Sequence, residues 1–459
     1  MSMTIGFVAI GRTTFDIPFA EKTARDAFSV LDVSSDLDVV GSPDLATEPQ
    51  EATAAVKSIL DTNIEALVVF QATFADSTII SAVAREVGIP LVLWATPEPR
   101  TGGRLRLNSF CGINLAAYSL ARDGVDYRWV YKRPDKPDVE SEVVAAITNS
   151  PQVPTGSPPR HKRMSSGLDL RGRTIGLVGT RPDGFDPCDF DAGALQSLFG
   201  VSVDSIPISG WFTEADSILA DRVDGVLAEM KTTVAGLNDV DQISLKRSIR
   251  LYLGLSDLAD QRDWNGVATR CWPECFTEFG GAACAGNSML TSSGRPGCCE
   301  ADVYGNLTAL LLQDAADDPP FVADLIDLDR DTNTAVLWHC GLAPREMAAG
   351  RETPHATIHS NRRLPLLYEF PLRAGRVTIA RISQSRNEMS LVVGGAEMLD
   401  AALSFSGTSG VAALDNSVSE TLDTIMGHGL EHHYGVVYGD HRDALLAYAA
   451  ELGLNVIEL

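Results

Sequence analysis

Several common signatures are missing from this chain of 459 residues. Its eight cysteines form no CxxC pair and no disulfide-like spacing, which points to a reducing compartment. No GxGxxG fingerprint follows a strand, so a dinucleotide is not expected. No stretch approaches the roughly 18–20 uninterrupted apolar residues of a membrane span. The opening residues, MSMTIGFVAIGRTTFD, lack the basic start and long apolar core of a secretory leader. A cytoplasmic protein with no membrane partner is therefore expected. Positive charge is also scarce: 37 Lys and Arg stand against 61 Asp and Glu, a net charge of −24. Without clustered cations to neutralise phosphates, no nucleic-acid partner is expected. The one notable basic cluster, Arg160-His161-Lys162-Arg163, lies beside prolines and reads as a linker.

What is present is an ordinary globular balance, 45% apolar and 21% charged residues, in a chain long enough for two or three domains. Apolar runs at 4–10 (TIGFVAI), 66–70 (ALVVF) and 90–95 (PLVLWA) alternate with helical patterns at 50–63 and 78–87. This β-α-β-α-β order predicts a parallel sheet of Rossmann-like or flavodoxin-like type. A Pro-, Ser- and Gly-rich stretch at 149–168 reads as a linker. A second α/β layer restarts at 173–179 (RTIGLVG) and continues through 203–208. It takes in a strand-like element within 221–230, a long helix over 244–263 and a short strand at 266–269. From about residue 339 the chain turns β-rich, with short runs at 363–370, 376–382 and 389–393 that predict a small antiparallel unit. Near the C-terminus, 434–438 reads as a strand, Asp440 as a helix N-cap, Gly453 as its stop and 455–458 as a last strand. The expected domains are 1–168, 169–338 and 339–459: two parallel-sheet layers and then a β-rich part.

The chemistry centres on residues 297–324. Glu300 and Asp302 precede an apolar helical run, and Asp324 lies among apolar residues after Pro319–Pro320. Ionised carboxylates kept beside apolar surface need a partner, and a metal ion is the expected one. Val303, Leu307, Leu310 and Leu311 mark one helix face, which makes Asp302 a helix cap and leaves Glu300 to face a cleft. A hairpin turning between Asp331 and Thr332 would set Asp324 directly opposite His339, with paired Cβ atoms about 4.5–5.5 Å apart. A buried Asp–His hydrogen bond is the alternative reading of that pair. Glu431-His432-His433 opens the 434–438 strand, where alternation lets only one histidine face a given site. Two carboxylates with one or two imidazoles suit Mn²⁺ or Mg²⁺ better than structural zinc. The Cys298–Cys299 pair reads as buried packing.

Around this centre, Trp272 and Glu274, after the 266–269 strand, are candidates for either ligand contact or packing. The loop after 90–95, TPEPRTGGRLRLNSFCG, carries Arg100, Arg104 and Arg106. It reads either as a solvated surface loop or as a flap that contacts an anionic ligand at the carboxyl end of the strands. Trp338 is a further substrate-contact candidate beside His339.

The E-x-D before an apolar helix (Glu300 to Leu312), the F-V-A-D of Phe321 to Asp324 and the H-H step at His432–His433 resemble the L-fucose isomerase and L-arabinose isomerase superfamily. The resemblance implies a fucose isomerase-like fold and a metal-dependent aldose–ketose isomerase. By the fucose isomerase pattern, Glu300, Asp324 and His433 are the implied ligands of Mn²⁺, or of Mg²⁺ or Co²⁺. The two carboxylates are also the implied acid–base pair. By the arabinose isomerase pattern, His339 is added as a ligand. Asp324, where arabinose isomerases have Glu, matches the fucose type. The implied substrate is a fucose- or arabinose-like sugar; the loop arginines, with Arg104 as the contact, would favour an anionic one such as a sulfonated sugar, or else are surface charges. A homotrimer or homohexamer is also implied, with the arginine loop acting on a neighbour. The alternatives are a non-catalytic sugar-binding or regulatory protein and a metal-dependent sugar epimerase or aldolase.

Overall fold

A computed structural model describes residues 2–149, 165–350 and 353–459 and gathers their strands into three sheets. The linker expected at 149–168, with its basic cluster, lies mostly outside the described residues. Strands Met3–Ile10, Leu37–Ala46, Ala66–Gln71, Leu91–Ala95 and Tyr127–Tyr131 form the first sheet. All its pairings are parallel, and the second strand lies on the edge beside the first. This is the flavodoxin-like order. The strand Leu37–Ala46 is not an apolar run because Gly41 and Pro43 interrupt it, which an edge position tolerates.

The second sheet is also wholly parallel: Thr174–Val178, Ser202–Ile206, Gly266–Thr269 and Gly297–Cys298. The strand-like element expected within 221–230 is instead part of the helix Ala220–Met230. Its buried Val223, Leu227 and Met230 fall at helical spacing, and that period wins over the local apolar run.

The third sheet has nine strands and is mixed rather than a small antiparallel unit. Most pairings are antiparallel; Leu367–Pro371 with Thr408–Leu414, and Ser390–Met398 with Asn455–Glu458, are parallel. It already includes Phe321–Asp329 and Thr334–His339. The strand bearing Asp324 therefore shares a sheet with the strand His433–Tyr438. The last helix, Arg442–Leu452, is capped by His441 rather than Asp440; Asp440 instead chelates the guanidinium of Arg442 at 2.6 and 2.8 Å.

The helix Val303–Ala316 joins the second and third sheets. Its Asn306 Nδ2 donates to the carbonyls of Val267 and Pro296 on one side. Its Thr308 hydroxyl accepts from the Ile382 N–H on the other. Val303, Leu307, Leu310 and Leu311 are fully buried, each contributing about 1.5–3 kcal/mol of apolar burial. The helix thus acts as a rigid spacer between Glu300 on its N-terminal side and Asp324 beyond its C-terminus. Among the described residues, no helix is long and apolar enough to cross a membrane.

Candidate active site

Glu300 lies just beyond the carboxyl end of the strand Gly297–Cys298, where parallel sheets place ligands. The chain must turn there into the helix, and it does so with Glu300 and Ala301 both left-handed, at φ 60° and 57°. Side-chain-bearing residues pay for that conformation, and two main-chain bonds hold it: Ala301 N–H to Thr269 O and Asp302 N–H to Cys299 O. The turn throws the Glu300 carboxylate off the helix axis. Asp302 is the cap expected of it, accepting from Gly305 N–H at 2.8 Å. It also receives the guanidinium of Arg381 at 2.5 and 3.0 Å.

The hairpin register differs from expectation by one residue. Asp329, Leu328 and Asp327 pair with Thr334, Ala335 and Val336 as a turn at Asp331–Thr332 requires. A bulge at Ile326 then shifts the ladder, so Asp324 lies opposite Trp338, not His339. One inserted residue is enough, since each step of register reverses the faces. Asp324 finds its imidazole on the other neighbouring strand, where it pairs with His433. His339, the last residue of its strand, still brings its ring within 5.7 Å of the His433 ring, centre to centre.

The alternation expected for His432 and His433 does not apply, because the strand begins at His433 and His432 precedes it. Both rings turn to the same carboxylate. His432 Nε2 lies 2.9 Å from Glu300 Oε2, and His433 Nε2 lies 3.6 Å from the same oxygen and 3.4 Å from Asp324 Oδ1. On its far side, His433 Nδ1 meets Asp302 Oδ2 at 2.9 Å.

Hydrogen-bond roles separate His433 from His339. Asp302 is an acceptor, since Arg381 and His433 outweigh burial and hold its carboxyl well below the ordinary range. His433 Nδ1 must therefore donate, which in the neutral ring leaves the Nε2 lone pair facing Asp324 and Glu300. Burial raises the Glu300 carboxyl, but the His432 bond and the neighbouring imidazoles outweigh it and bring it to about 2. Both carboxylates thus approach the same nitrogen, although Glu300 and Asp324 fall in separate potential metal groups that share His433, and Asp324 Oδ1 and His433 Nε2 are buried without a hydrogen-bond partner. Such a set is relieved by positive charge, either a proton on His433 Nε2 or a metal ion. His339 differs: its Nδ1 accepts from the Cys340 N–H at 2.9 Å, and burial favours its neutral ring. Its proton is then on Nε2, which is also buried and unpartnered and lies with Asp324 and His433 in one potential metal group.

One cavity contains Glu300, Asp324, His339 and His432. Trp272 and Trp338 line it, with Trp338 Nε1 held by Ser406 O at 2.9 Å. Glu274 does not, because Arg270 draws its carboxylate away at 2.8 Å. The three loop arginines do not line it either. Arg100 pairs with Asp327 at 2.7 Å and Arg106 with Asp16 at 2.9 Å, both within the chain. Arg104 stands one layer back, donating to Asn361 Oδ1 and Thr14 O, two residues that do line the cavity. The cations at the cavity wall are Arg12 and Arg362, neither singled out by the sequence. Arg12 carries a signal that could have found it: it lies two residues past the first strand, at the carboxyl edge where ligands bind. Arg362 is hidden when 363–370 is read as a strand, since the strand begins only at Leu367.

The cavity therefore lies between the carboxyl edges of two parallel sheets and the inner strands of the mixed one. A family model described as "Fucose/sulfoquinovose isomerase, N-terminal domain" matches residues 6–149. The sulfoquinovose isomerase of Alkalicoccus urumqiensis is 27% identical over 459 residues, 100% of this chain and 99% of its own. The sulfoquinovose isomerase of Priestia aryabhattai is 29% identical over 454 residues, 98% of each chain. The chain is thus similar to the fucose and sulfoquinovose isomerases, over residues 6–149 by the family model and over its whole length by these two relatives.

Proposed function

We propose that this protein is a divalent-metal-dependent aldose–ketose isomerase acting on a sulfonated sugar such as sulfoquinovose. The observation that carries the metal centre is the approach of Glu300 Oε2 at 3.6 Å and Asp324 Oδ1 at 3.4 Å to His433 Nε2, with Asp324 Oδ1 and His433 Nε2 buried and unpartnered. Those three residues would hold the ion, with Mn²⁺ favoured by the oxygen-rich donor set. When bound, the ion supplies Lewis acidity toward the carbonyl oxygen and the adjacent hydroxyl. Asp302 fixes the His433 tautomer through Nδ1, as carboxylates behind metal-binding imidazoles do.

One carboxylate of the Glu300–Asp324 pair removes the proton from C2 of the aldose and the other moves the hydroxyl proton, with the roles exchanged in reverse. His432 steadies Glu300 Oε2 and leaves Oε1 for the substrate. His339 is better suited to donate through Nε2–H toward a substrate oxygen than to ligate, because its Nδ1 lone pair is already used. A binder without chemistry would have no use for two carboxylates around one imidazole. An assembly of three or six subunits, as in the resembling family, belongs to the same proposal.

The test is conversion of sulfoquinovose to its ketose, followed by NMR in D₂O with Mn²⁺ restored to chelated protein. Deuterium should enter at C1 of the ketose. Wild-type turnover by Glu300→Gln at full metal occupancy would overturn the acid–base assignment. An epimerase or aldolase would instead yield a C2 epimer or fragments.

A further inference from the structure

Isomerisation occupies the oxygens on C1 and C2, so a sulfonate must sit on another carbon and meet the protein elsewhere. The reacting end is committed to those two oxygens, so the sulfonate needs a cation of its own. We propose that Arg12 and Arg362, gathered on the ring of Trp272, form the site that takes the sulfonate. This rests on the isomerase reading above and assigns its substrate's anionic group to particular residues.

The two guanidinium carbons lie 5.0 Å (Arg12) and 4.6 Å (Arg362) from the Trp272 ring centre. An aromatic face attracts each cation, but two cations in one partly buried place repel each other, and Arg362 is among the groups that lower the Arg12 pKa, after burial. Asp76 pairs with Arg12 at 3.0 Å. The two guanidiniums and the carboxylate paired with them leave one positive charge, which a sulfonate monoanion balances; Glu300 and Glu48 also act on Arg12, without an ion pair to it. Trp272 also sets the span from the reacting end: its ring meets Phe185 at 5.2 Å, and Phe185 meets His432 at 6.1 Å.

Arg362 is held for this purpose rather than left to solvent. His359 Nδ1 accepts from the N–H groups of Asn361 and Arg362 at 3.2 and 3.3 Å, which folds the loop. Arg362 also lies over Phe276, 5.5 Å from its centre. Arg104 engages Asn361 through Oδ1 at 2.8 Å, so the Nδ2 donors of that amide remain for an anion's oxygens. Arg104, read from the sequence as a substrate contact, becomes a positioning residue behind the site.

The test measures binding of methanesulfonate and of sulfoquinovose to the metal-stripped full-length protein by calorimetry, alongside kcat/KM with Mn²⁺. Arg362→Gln should weaken binding of both by on the order of 10²-fold, with the kinetic loss falling mainly on KM. Arg362→Lys should recover part of it. Unchanged methanesulfonate affinity in Arg362→Gln and Arg12→Gln, or no saturable methanesulfonate binding to wild type, would overturn the site. Should Arg362→Gln not fold, Arg362→Lys and Arg12→Gln carry the same readout, and unaltered affinity in both sinks the assignment. Failure of the isomerase reading looks different: wild type binds methanesulfonate, and Arg362→Gln does not, but no ketose forms.

Discussion

Asp302 and Asp324 are both buried, and each meets the same imidazole, His433, from opposite sides. Asp302 takes a hydrogen bond on its Nδ1 side and has every other need met: the guanidinium of Arg381, the Gly305 N–H and the helix N-terminus behind it. Asp324 faces Nε2 at 3.4 Å, and its Oδ1 has no hydrogen-bond partner. A saturated buried carboxylate holds structure together, because nothing is left over to react. An unsaturated one stores the capacity to bind a cation or take a proton. The difference separates scaffold from chemistry more sharply than residue type or burial does.

The comparison can be broken in descending order of effect. Glu300→Gln or Asp324→Asn should lower kcat by about 10²–10⁴-fold, the usual loss of an acid–base group, while Asp324→Asn barely moves a thermal melt of the metal-free protein. Asp302→Ala should do the reverse: it strands Arg381 and costs about 3–5 kcal/mol of stability by denaturant titration. It should also weaken metal affinity some 10–100-fold through the released His433. Equal stability losses from Asp302→Ala and Asp324→Asn would erase the distinction.

Chelation tests the Asp324 side alone. With metal at 100 times its dissociation constant, removing it should cost about 2.7 kcal/mol, and Asp324→Asn should lose most of that difference. Metal binding should also release protons into weak buffer, since the neighbouring carboxylates outweigh burial and raise the His433 pKa in the ion's absence. A smaller pH effect lies outside the centre. Burial, with Arg362 nearby, lowers His359 to about 4, so the folded state resists a proton that the unfolded chain accepts near 6.5. Stability of the chelated protein should fall as pH drops from about 6.5 to 4, by roughly 2 kcal/mol from this group at pH 5. His359→Gln should flatten that slope.

Much of the site is legible in the sequence because its residues sit where local rules apply. Asp302 reads as a cap from the apolar spacing after it, and Glu300 as the acid left outside the helix. Residue Ile326 shows where local rules stop. The turn at Asp331–Thr332 sets the register correctly for three pairs, and one bulged residue then replaces His339 with Trp338 opposite Asp324. His432 escapes strand alternation only because the strand starts one residue later. Arg381 is silent in the sequence because an arginine within a mostly apolar strand gives no hint of which carboxylate awaits it. Arg104 reads as a contact because its charge is visible in the sequence and its partner Asn361 is not, whereas Glu274 is paired with Arg270 only four residues before it.

The sequence by itself determined the alternation that yields parallel sheets, the apolar helix that spaces Glu300 from Asp324, and the acid–imidazole inventory around them. These arise from period, propensity and charge within a few residues. Only the tertiary structure decided which nitrogen of His433 is open, which of the histidines has its proton on the inner side, and which arginines reach the cavity. Those outcomes depend on partners tens of residues away, such as Arg381 for Asp302 and Asp76 for Arg12. Hydrogen bonds and ion pairs are satisfied in space, and sequence order does not record which ones close.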